Sequence, residues 1–130
     1  MSAETIGILG VGQIALNVKD LERAVAFYRD TLGLRPLFQI PNAAFFDCGG
    51  VRLMLGPPER PEFDHPASIL YYKVEDIQAA YRELTARGVR FESEPHLIAR
   101  MADHDLWMAF LRDSEENLLA LMSEVKRAAS

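Results

Sequence analysis

The residues of this chain that can do chemistry include three histidines. His65 lies in a proline-rich segment, His96 directly follows Pro95, and His104 precedes an apolar stretch. A histidine can transfer protons near neutral pH or bind a metal ion. If one of the three acts in catalysis, we expect it to be His96, because Pro95 stiffens its approach and the irregular segment that it opens is predicted to cover a pocket. The simpler interpretation is that His65 is solvated and that His96 and His104 are ordinary loop residues.

An arginine and a cysteine are the other candidates. Arg52 alternates with Leu53 along a predicted strand and therefore shares a face with Met54. A buried arginine needs an anionic partner, such as a carboxylate or phosphate of a ligand. The alternative is an arginine at the rim of the sheet, paired with Asp47 or with an acidic loop residue. Cys48 is the single cysteine, and no histidine lies beside it in the sequence. We expect a buried structural thiol, because a nucleophilic cysteine needs a neighbouring cation or helix N-terminus to lower its pKa.

A strand that runs into an amphipathic helix positions the first half of the chain. Residues 13–18 alternate between apolar and polar side chains, which is typical of a strand with one buried face. Asp20 is placed to cap the helix that follows, and Gly33 is placed to end it. A weaker copy of this unit begins at Ile69, with Asp76 close to the start of its helix. The repeat predicts two similar halves that share one core.

The remaining segments complete an α+β fold. Short strands are predicted over residues 34–40, 43–48 and 51–55 in the first half, and over 68–74, 89–92, 105–111 and 117–122 in the second, with a second helix over 75–87. Gly49-Gly50 is predicted to be a hairpin turn, residues 96–104 a loop, and the end from Glu124 onward a fraying tail. We therefore predict one domain of two βαβββ modules, about 8–56 and 67–123, joined by a proline-rich linker at 57–66. The modules are expected to form a curved, mostly antiparallel eight-stranded sheet with its helices outside and a pocket on its concave face.

Composition narrows the classes of function. The 130 residues carry a net charge of −5 and are 49% hydrophobic, which is ordinary for one soluble domain. No basic stripe with interleaved aromatic residues is present, so binding to nucleic acid is not expected. No apolar run reaches the roughly 18 residues that cross a bilayer, and the N-terminus has no basic secretory signal. We therefore expect a cytoplasmic protein without a membrane partner.

Three segments carry a resemblance to a known family. IALNVKDLERAVAFYRDTLGL, YYKVEDIQAAYRELTARGV and the closing RDSEENLLALM resemble the vicinal oxygen chelate superfamily, the group of glyoxalases, bleomycin-resistance proteins and extradiol dioxygenases. The last segment usually reads DPxGNxxEL in that family, and here it lacks the proline and the glycine. The resemblance covers nearly the whole chain and implies the two-module fold. Activity does not follow from it, because one scaffold hosts many chemistries.

The resemblance also implies where a metal site would be. The family's usual ligands, His, Glu, His or Gln, and Glu, correspond here to Gln13, Met54, Ile69 and Ala120. Alternation along the predicted strands independently places these four residues on the pocket side. A divalent metal needs three or four nitrogen or oxygen donors, and this set offers one amide oxygen. We therefore expect no metal and no other cofactor, a divalent metal being the less favoured alternative. The metal-dependent glyoxalase, dioxygenase and epimerase activities lose their chemical basis.

Two functions remain, beside a third possibility that the chain is an accessory or regulatory module that has lost its site. The favoured one is metal-free binding of a small, partly apolar or aromatic molecule in the sheet cavity, by a homodimer, as the resemblance implies. The alternative is a lyase, isomerase or dioxygenase-type enzyme for a small aromatic or carbonyl substrate, with His96 as acid and base and Arg52 holding an anion. The sequence leaves open whether the protein is an enzyme and which molecule it binds. The predicted ligand-binding residues are Gln13, Arg52, Met54, Ile69, Tyr71, Trp107 and Ala120.

Overall fold

The computed structural model describes residues 6–7, 9–58, 60–65 and 68–127, and within them the chain repeats one order of elements. The first half comprises β1 (Gln13–Asn17), α1 (Leu21–Ala26), β2 (Arg35–Ile40), β3 (Ala43–Cys48) and β4 (Val51–Gly56). The second half comprises β5 (Leu70–Lys73), α2 (Ile77–Ala86), β6 (Arg90–Phe91), β7 (His96–Arg100), β8 (His104–Arg112) and β9 (Leu118–Lys126). A π-helical turn, Phe27–Thr31, continues α1, and a short 3-10 turn, Pro61–Phe63, lies between the halves.

The strands form two sheets, one from each half. The first has the order β1-β4-β3-β2, and the second has the order β5-β9-β8-β6 with β7 also paired to β8. In each sheet the strand before the helix pairs in parallel with the last strand of its half, and the other pairs are antiparallel. The predicted α+β class is therefore confirmed. Its strands lie in two curved sheets of four and five strands, whereas the sequence predicted one sheet of eight.

The helix ends follow from local sequence. The Asp20 carboxylate accepts a hydrogen bond from the Arg23 backbone N–H at 3.0 Å, and Asp76 does the same for Ala79 at 3.0 Å. Both aspartates satisfy donors that a first helical turn leaves free. Gly33 ends the first helical segment with a φ of 78°, a conformation that a residue without Cβ adopts at little cost. The predicted caps are confirmed.

One hydrophobic core lies on the helix-facing sides of both sheets. Leu16 on β1 and Leu53 on β4 alternate with exposed neighbours and are at most 2% exposed. Leu119 and Leu121 on β9 are also buried, together with Ala120 between them. The predicted inward face is thereby confirmed on all four strands that alternation assigned, with Ile14, Leu70 and Tyr72 half-buried against the same core. Because α1 and α2 contribute to this one cluster, the halves share their buried surface.

Two local predictions are wrong. Residues 96–104 contain strand β7 and the start of β8, and not only a loop. A bulge between Leu97 and Ala99 shifts the register, which hides the period of two in the sequence. The end of the chain is also ordered further than predicted, since β9 continues to Lys126 and pairs with β8 as far as His104. Residues 128–130 of the predicted tail, and 59 and 66 of the predicted linker, lie outside the described residues.

None of the helices in the described part of the chain combines the length and apolar character that crossing a bilayer requires.

Candidate functional site

Each sheet has one face against the helices and one face without a covering element among the described residues. We call these uncovered faces the first and second open faces. Alternation and strand register assign their residues, because directly paired residues of neighbouring strands point to the same side. The first open face carries Gln13, Ala15, Phe38, Phe45, Arg52 and Met54. The second carries Tyr71, Lys73, Met108, Phe110, Ala120 and Met122.

An aromatic stack beside a polar pair characterises the first open face. The rings of Phe38 and Phe45 stack with centroids 4.4 Å apart and planes 22° from parallel. The Arg52 guanidinium lies 5.5 Å from the centre of the Phe45 ring, within cation–π range. Its Nε donates to Gln13 Oε1 at 2.7 Å. Gln13 Nε2 in turn lies 3.8 Å from the Met54 sulfur. The structure thus brings Gln13, Arg52 and Met54 together.

The structure gives Arg52 a partner that the sequence analysis did not consider. Asp47 is the cross-strand neighbour of Arg52, yet its carboxylate accepts from the Gly50 backbone N–H at 3.2 Å. Within the described residues no carboxylate lies within 4 Å of the Arg52 guanidinium. Arg52 is exposed rather than buried. Among the described residues the guanidinium has one hydrogen-bond partner, Gln13 at Nε, which leaves its other N–H donors available to a ligand.

Two aromatic rings dominate the second open face. Tyr71 and Phe110 are the cross-strand neighbours of Ala120 on either side, and their rings meet edge to face at 6.0 Å. Ala120 beneath them is 0% exposed, whereas Tyr71 is 45% exposed. Ile69 directly precedes β5 and is 38% exposed. Three of the predicted ligand-binding residues therefore lie close to one another on this second surface.

Trp107 does not lie with them. It pairs with Ser123, which is 0% exposed, and it packs against the hydrophobic core on the helix-facing side of β8. Together with Ile77 it lines a small hollow at the start of α2. The prediction of Trp107 in the cavity is therefore wrong, because its side chain packs against the core. The sequence 105–111 is apolar at most positions, so alternation alone cannot assign its faces.

The histidines are arranged differently from expectation. His96 is exposed on β7, where its Nδ1 lies 3.3 Å from the carbonyl oxygen of Glu94. His104 instead lies between two carboxylates, with Nδ1 2.7 Å from Asp103 and Nε2 3.6 Å from Glu124. The hydrogen bond with His104 lowers the pKa of Asp103. His65 is exposed, as predicted. His96 contacts the second sheet and Arg52 the first, so the structure does not bring these two residues together.

The four positions that correspond to the family's metal ligands do not fit a metal ion. The Gln13 amide oxygen already accepts from Arg52, and Met54 offers a thioether, a poor ligand for hard cations. Ile69 has no donor, and Ala120 lies buried beneath two rings. Among the described residues no group of three or more His, Cys, Asp or Glu side chains is placed to hold a metal. No chemistry of this site is therefore assigned to a metal.

Cys48 is less buried than predicted. It ends β3 on the helix-facing side and is only partly covered. Burial, and then the charge of Asp47, raise the pKa of its thiol. The thiol is therefore neutral at physiological pH, as the sequence analysis expected for a residue that is not a nucleophile.

A buried carboxylate joins the two halves. Asp113 is 3% exposed and accepts from the hydroxyl of Tyr28, which is 0% exposed, at 2.7 Å. It also accepts from the backbone N–H groups of Glu115 and Asn117, and from the Asn117 side-chain amide at 3.0 Å. Burial, and then the charge of Asp113, hold the pKa of Tyr28 far above its ordinary value. The neutral phenol therefore stays a donor.

A second carboxylate of the same turn binds the start of α1. Glu115 accepts from the backbone N–H groups of Lys19 and Asp20 at 3.1 and 2.9 Å, and its carboxylate receives two bonds from the Arg23 guanidinium. The hydrogen bond from Arg23 is the largest of the effects that lower the pKa of Glu115 to about 2. The sequence does not reveal these contacts, since its only local signal is a polar turn before the last strand.

The order of elements and the pairing of strands define the class of protein: two similar strand–helix–strand modules, each with an open sheet face. A family model agrees with this class over nearly the whole chain. The chain belongs to the Glyoxalase/Bleomycin resistance protein/Dioxygenase superfamily, whose model matches residues 10–121. The resemblance inferred from sequence is therefore confirmed.

Individual relatives support the same assignment. The chain is 32% identical to the uncharacterized protein YraH of Bacillus subtilis, over 84% of this chain and 94% of that protein. A superfamily member from Sphaerobacter thermophilus has 27% identity and a TM-score of 0.76, over 90% of this chain and 98% of that one. TnmS3, an antibiotic-binding protein from Streptomyces, has 23% identity and a TM-score of 0.73, over 92% and 99% of the two chains, and shows likeness of fold alone.

Proposed function

We propose that this protein binds a small, partly aromatic molecule on its open sheet faces, without a metal ion. The observation that carries this proposal is the exposed aromatic stack on the first open face. Phe38 is 50% exposed although its ring stacks on that of Phe45. A flat apolar ligand would extend this stack and remove the Phe38 ring from water. Both the burial of apolar surface and the stacked arrangement of the rings favour binding.

Arg52 gives the proposed ligand its polar feature. Its free N–H donors border the aromatic stack, and a guanidinium binds carboxylate, sulfonate or phosphate oxygens with two parallel hydrogen bonds. Gln13 holds Nε and so fixes the plane of the group. We therefore infer a ligand that combines an aromatic body with an anionic group.

We further propose that the binding protein is a homodimer. β1 and β5 are edge strands of their sheets, and each ends one open face that carries exposed apolar side chains. These include Ile69 and Tyr71 beside and on β5, and Phe38 and Ile40 on β2 at the other edge of the first sheet, all between 38% and 50% exposed. Pairing β1 of one copy beside β5 of another would join a four-stranded sheet to a five-stranded sheet. An exposed apolar face of this kind is typical of an interface.

A fluorescent aromatic sulfonate, anilinonaphthalene sulfonate, provides a direct test. We expect Arg52→Ala and Phe38→Ala each to weaken its binding by about tenfold, which corresponds to about 1.4 kcal/mol for one charged contact or one stacked ring. Arg100→Ala is the matched control, because Arg100 is also an exposed arginine on a strand, β7. Equal binding by all four proteins would refute the proposed site.

Metal content and assembly state are measured on the same preparation. Protein purified without chelator should contain no stoichiometric zinc, iron or nickel. Sedimentation in the analytical ultracentrifuge should give the mass of two chains. A stoichiometric metal would contradict the metal-independent proposal. A monomer at micromolar concentration would contradict the proposed dimer and leave the test of Arg52 and Phe38 standing.

A further inference from the structure

A cleft lies between the two halves of the chain. Its volume is about 640 Å³, within the range of small-molecule sites. Its walls are the π-helical turn after α1 and the end of β3 on one side, and β5 with one side of α2 on the other. Its floor is aliphatic and belongs to the shared core, with Leu84, Leu111, Leu119 and Leu121.

The internal repeat explains why this space is open. The turn 113–117 between β8 and β9 packs against the first half, where Asp113 and Glu115 bind the first helical segment. Its counterpart in the repeat is the turn between β3 and β4, which comprises Gly49 and Gly50 alone and borders the cleft. Two glycines cannot fill the space that five residues fill, so a cleft remains beside β5 and α2.

The helix wall of the cleft is less polar than its counterpart in the first half. Asp20 and Asp76 are 56 positions apart, and the same offset relates Tyr28 to Leu84. Tyr28 donates the hydrogen bond to Asp113, whereas Leu84 offers an aliphatic side chain to the cleft. The floor therefore suits the apolar part of a ligand and not a second polar turn.

Most charged groups around the cleft already have partners. Glu83 and Arg87 form an ion pair at 3.0 Å on α2. Lys73 lies 3.4 Å from Glu124. The Asp47 carboxylate accepts a hydrogen bond at 3.2 Å from a backbone N–H of the following turn. These groups therefore do not provide a cation that is free to bind a ligand.

Arg35 is the cation of the cleft that has no paired carboxylate. It begins β2, lines the cleft and is exposed. Asp47 is its cross-strand neighbour, yet in the part of the chain that the structure describes no carboxylate lies within 4 Å of the Arg35 guanidinium. A guanidinium has several N–H donors and binds a carboxylate with two parallel hydrogen bonds.

We propose that this cleft is a second binding site, for a small aliphatic molecule that carries one carboxylate. The aliphatic part lies over the leucine floor, and the carboxylate binds Arg35. The opposite orientation is unfavourable, because a carboxylate over the leucines would lose its hydration without gaining a partner. The site differs from the one proposed on the open faces in its location, in the arginine that it uses and in the aliphatic nature of its ligand.

The lone cysteine makes occupancy of the cleft directly measurable. Cys48 lines the cleft and is the single cysteine of the chain. The probes are octanoate and octanol, which share one aliphatic chain and differ in charge. Saturating octanoate should slow alkylation of Cys48 by N-ethylmaleimide at least about fivefold in the unmodified protein, because a ligand in the cleft covers the thiol.

Two arginines provide a matched pair of variants. Arg35→Ala should raise the octanoate concentration that half-protects Cys48 by about tenfold, and should change the value for octanol by less than about twofold, because octanol has no anionic group. Arg82→Ala should change neither value, since Arg82 is an exposed arginine of α2 that does not line the cleft. Circular dichroism verifies that both variants retain the fold.

The outcomes separate the two proposed sites. Binding of octanoate without protection of Cys48 would overturn the cleft proposal, as would equal weakening by Arg35→Ala and Arg82→Ala. Absence of octanoate binding, or dependence of that binding on Arg52 instead of Arg35, would overturn it as well. Equal sulfonate binding by Arg52→Ala and the unmodified protein would refute the open-face site and would leave the Cys48 result unaffected.

Discussion

Tyr28 and Tyr72 allow one chemical change to be tested in two opposite environments. Removing the Tyr28 hydroxyl eliminates a 2.7 Å hydrogen bond to the buried Asp113 carboxylate. Such a bond to a charged group contributes about 1.5–3 kcal/mol. Asp113 keeps its bonds from Glu115 and Asn117, so the charge stays partly compensated. We therefore expect Tyr28→Phe to lower the free energy of unfolding by about 2 kcal/mol.

Tyr72→Phe removes a hydroxyl that is buried without a partner in the described structure. An unsatisfied buried group costs about 1–3 kcal/mol, so its removal should leave stability unchanged or raise it by about 1 kcal/mol. Both variants keep the ring and lose one hydroxyl, and they differ in whether that hydroxyl had a hydrogen-bond partner. Their stabilities should therefore differ by roughly 2–3 kcal/mol.

Urea unfolding and thermal unfolding, both followed by circular dichroism, measure this difference. For a chain of this size about 2 kcal/mol corresponds to a fall in Tm of roughly 8 °C for Tyr28→Phe. The m-value should stay constant, because neither change alters the surface that unfolding exposes. Equal destabilisation of the two variants would refute the assignment of Asp113 as the partner that distinguishes them.

Three further predictions concern single contacts. The pKa of Glu115 is lowered from an ordinary 4.5 to about 2 in the folded state, so the carboxylate contributes stability that is present above pH 4.5 and is lost as the pH falls toward 2. Because its partner Arg23 is 57% exposed, solvent screening reduces this contribution to about 1 kcal/mol. The stability gap to Glu115→Gln in urea titrations should close over that pH range, and a constant gap would contradict the linkage. A Cβ on Gly56 would lie 2.7 Å from the Asn42 carbonyl oxygen, so Gly56→Ala should lower the free energy of unfolding by about 1–3 kcal/mol. Gly12→Ala is the control in the same thermal melts and should leave stability nearly unchanged, because its Cβ would meet no atom within 4 Å. Arg127→Ala removes bonds to backbone carbonyls of the β7–β8 turn and should speed amide hydrogen exchange there, with slow exchange elsewhere retained.

Local chemistry made part of this fold predictable. Asp20, Asp76 and Gly33 act within one helical turn of their own position, so their roles are visible in the sequence. Gln13, Arg52 and Met54 were grouped correctly because β1 and β4 have a clear polar and apolar side. Strand alternation fixes a face wherever the two sides of a strand differ in polarity.

Other features depend on information that no short segment contains. Trp107 lies in a strand that is apolar on both faces, so its side is set by pairing with Ser123 and not by a pattern. The bond from Tyr28 to Asp113 joins residues 85 positions apart. The division into two sheets depends on which edge strands meet, and a sequence pattern does not specify this. The orphan hydroxyl of Tyr72 likewise follows from tertiary packing alone.

The Glu115 contact has a consequence for how the chain can be divided. The carboxylate lies 92 positions after Arg23 and binds amides at the start of the first helix. Cutting the chain between the modules would leave the amino-terminal fragment without this carboxylate and would leave Tyr28 without Asp113. The two fragments would recover both contacts only by associating. The resemblance between the halves therefore does not make them exchangeable, since the surface at which they meet is specific to the pair.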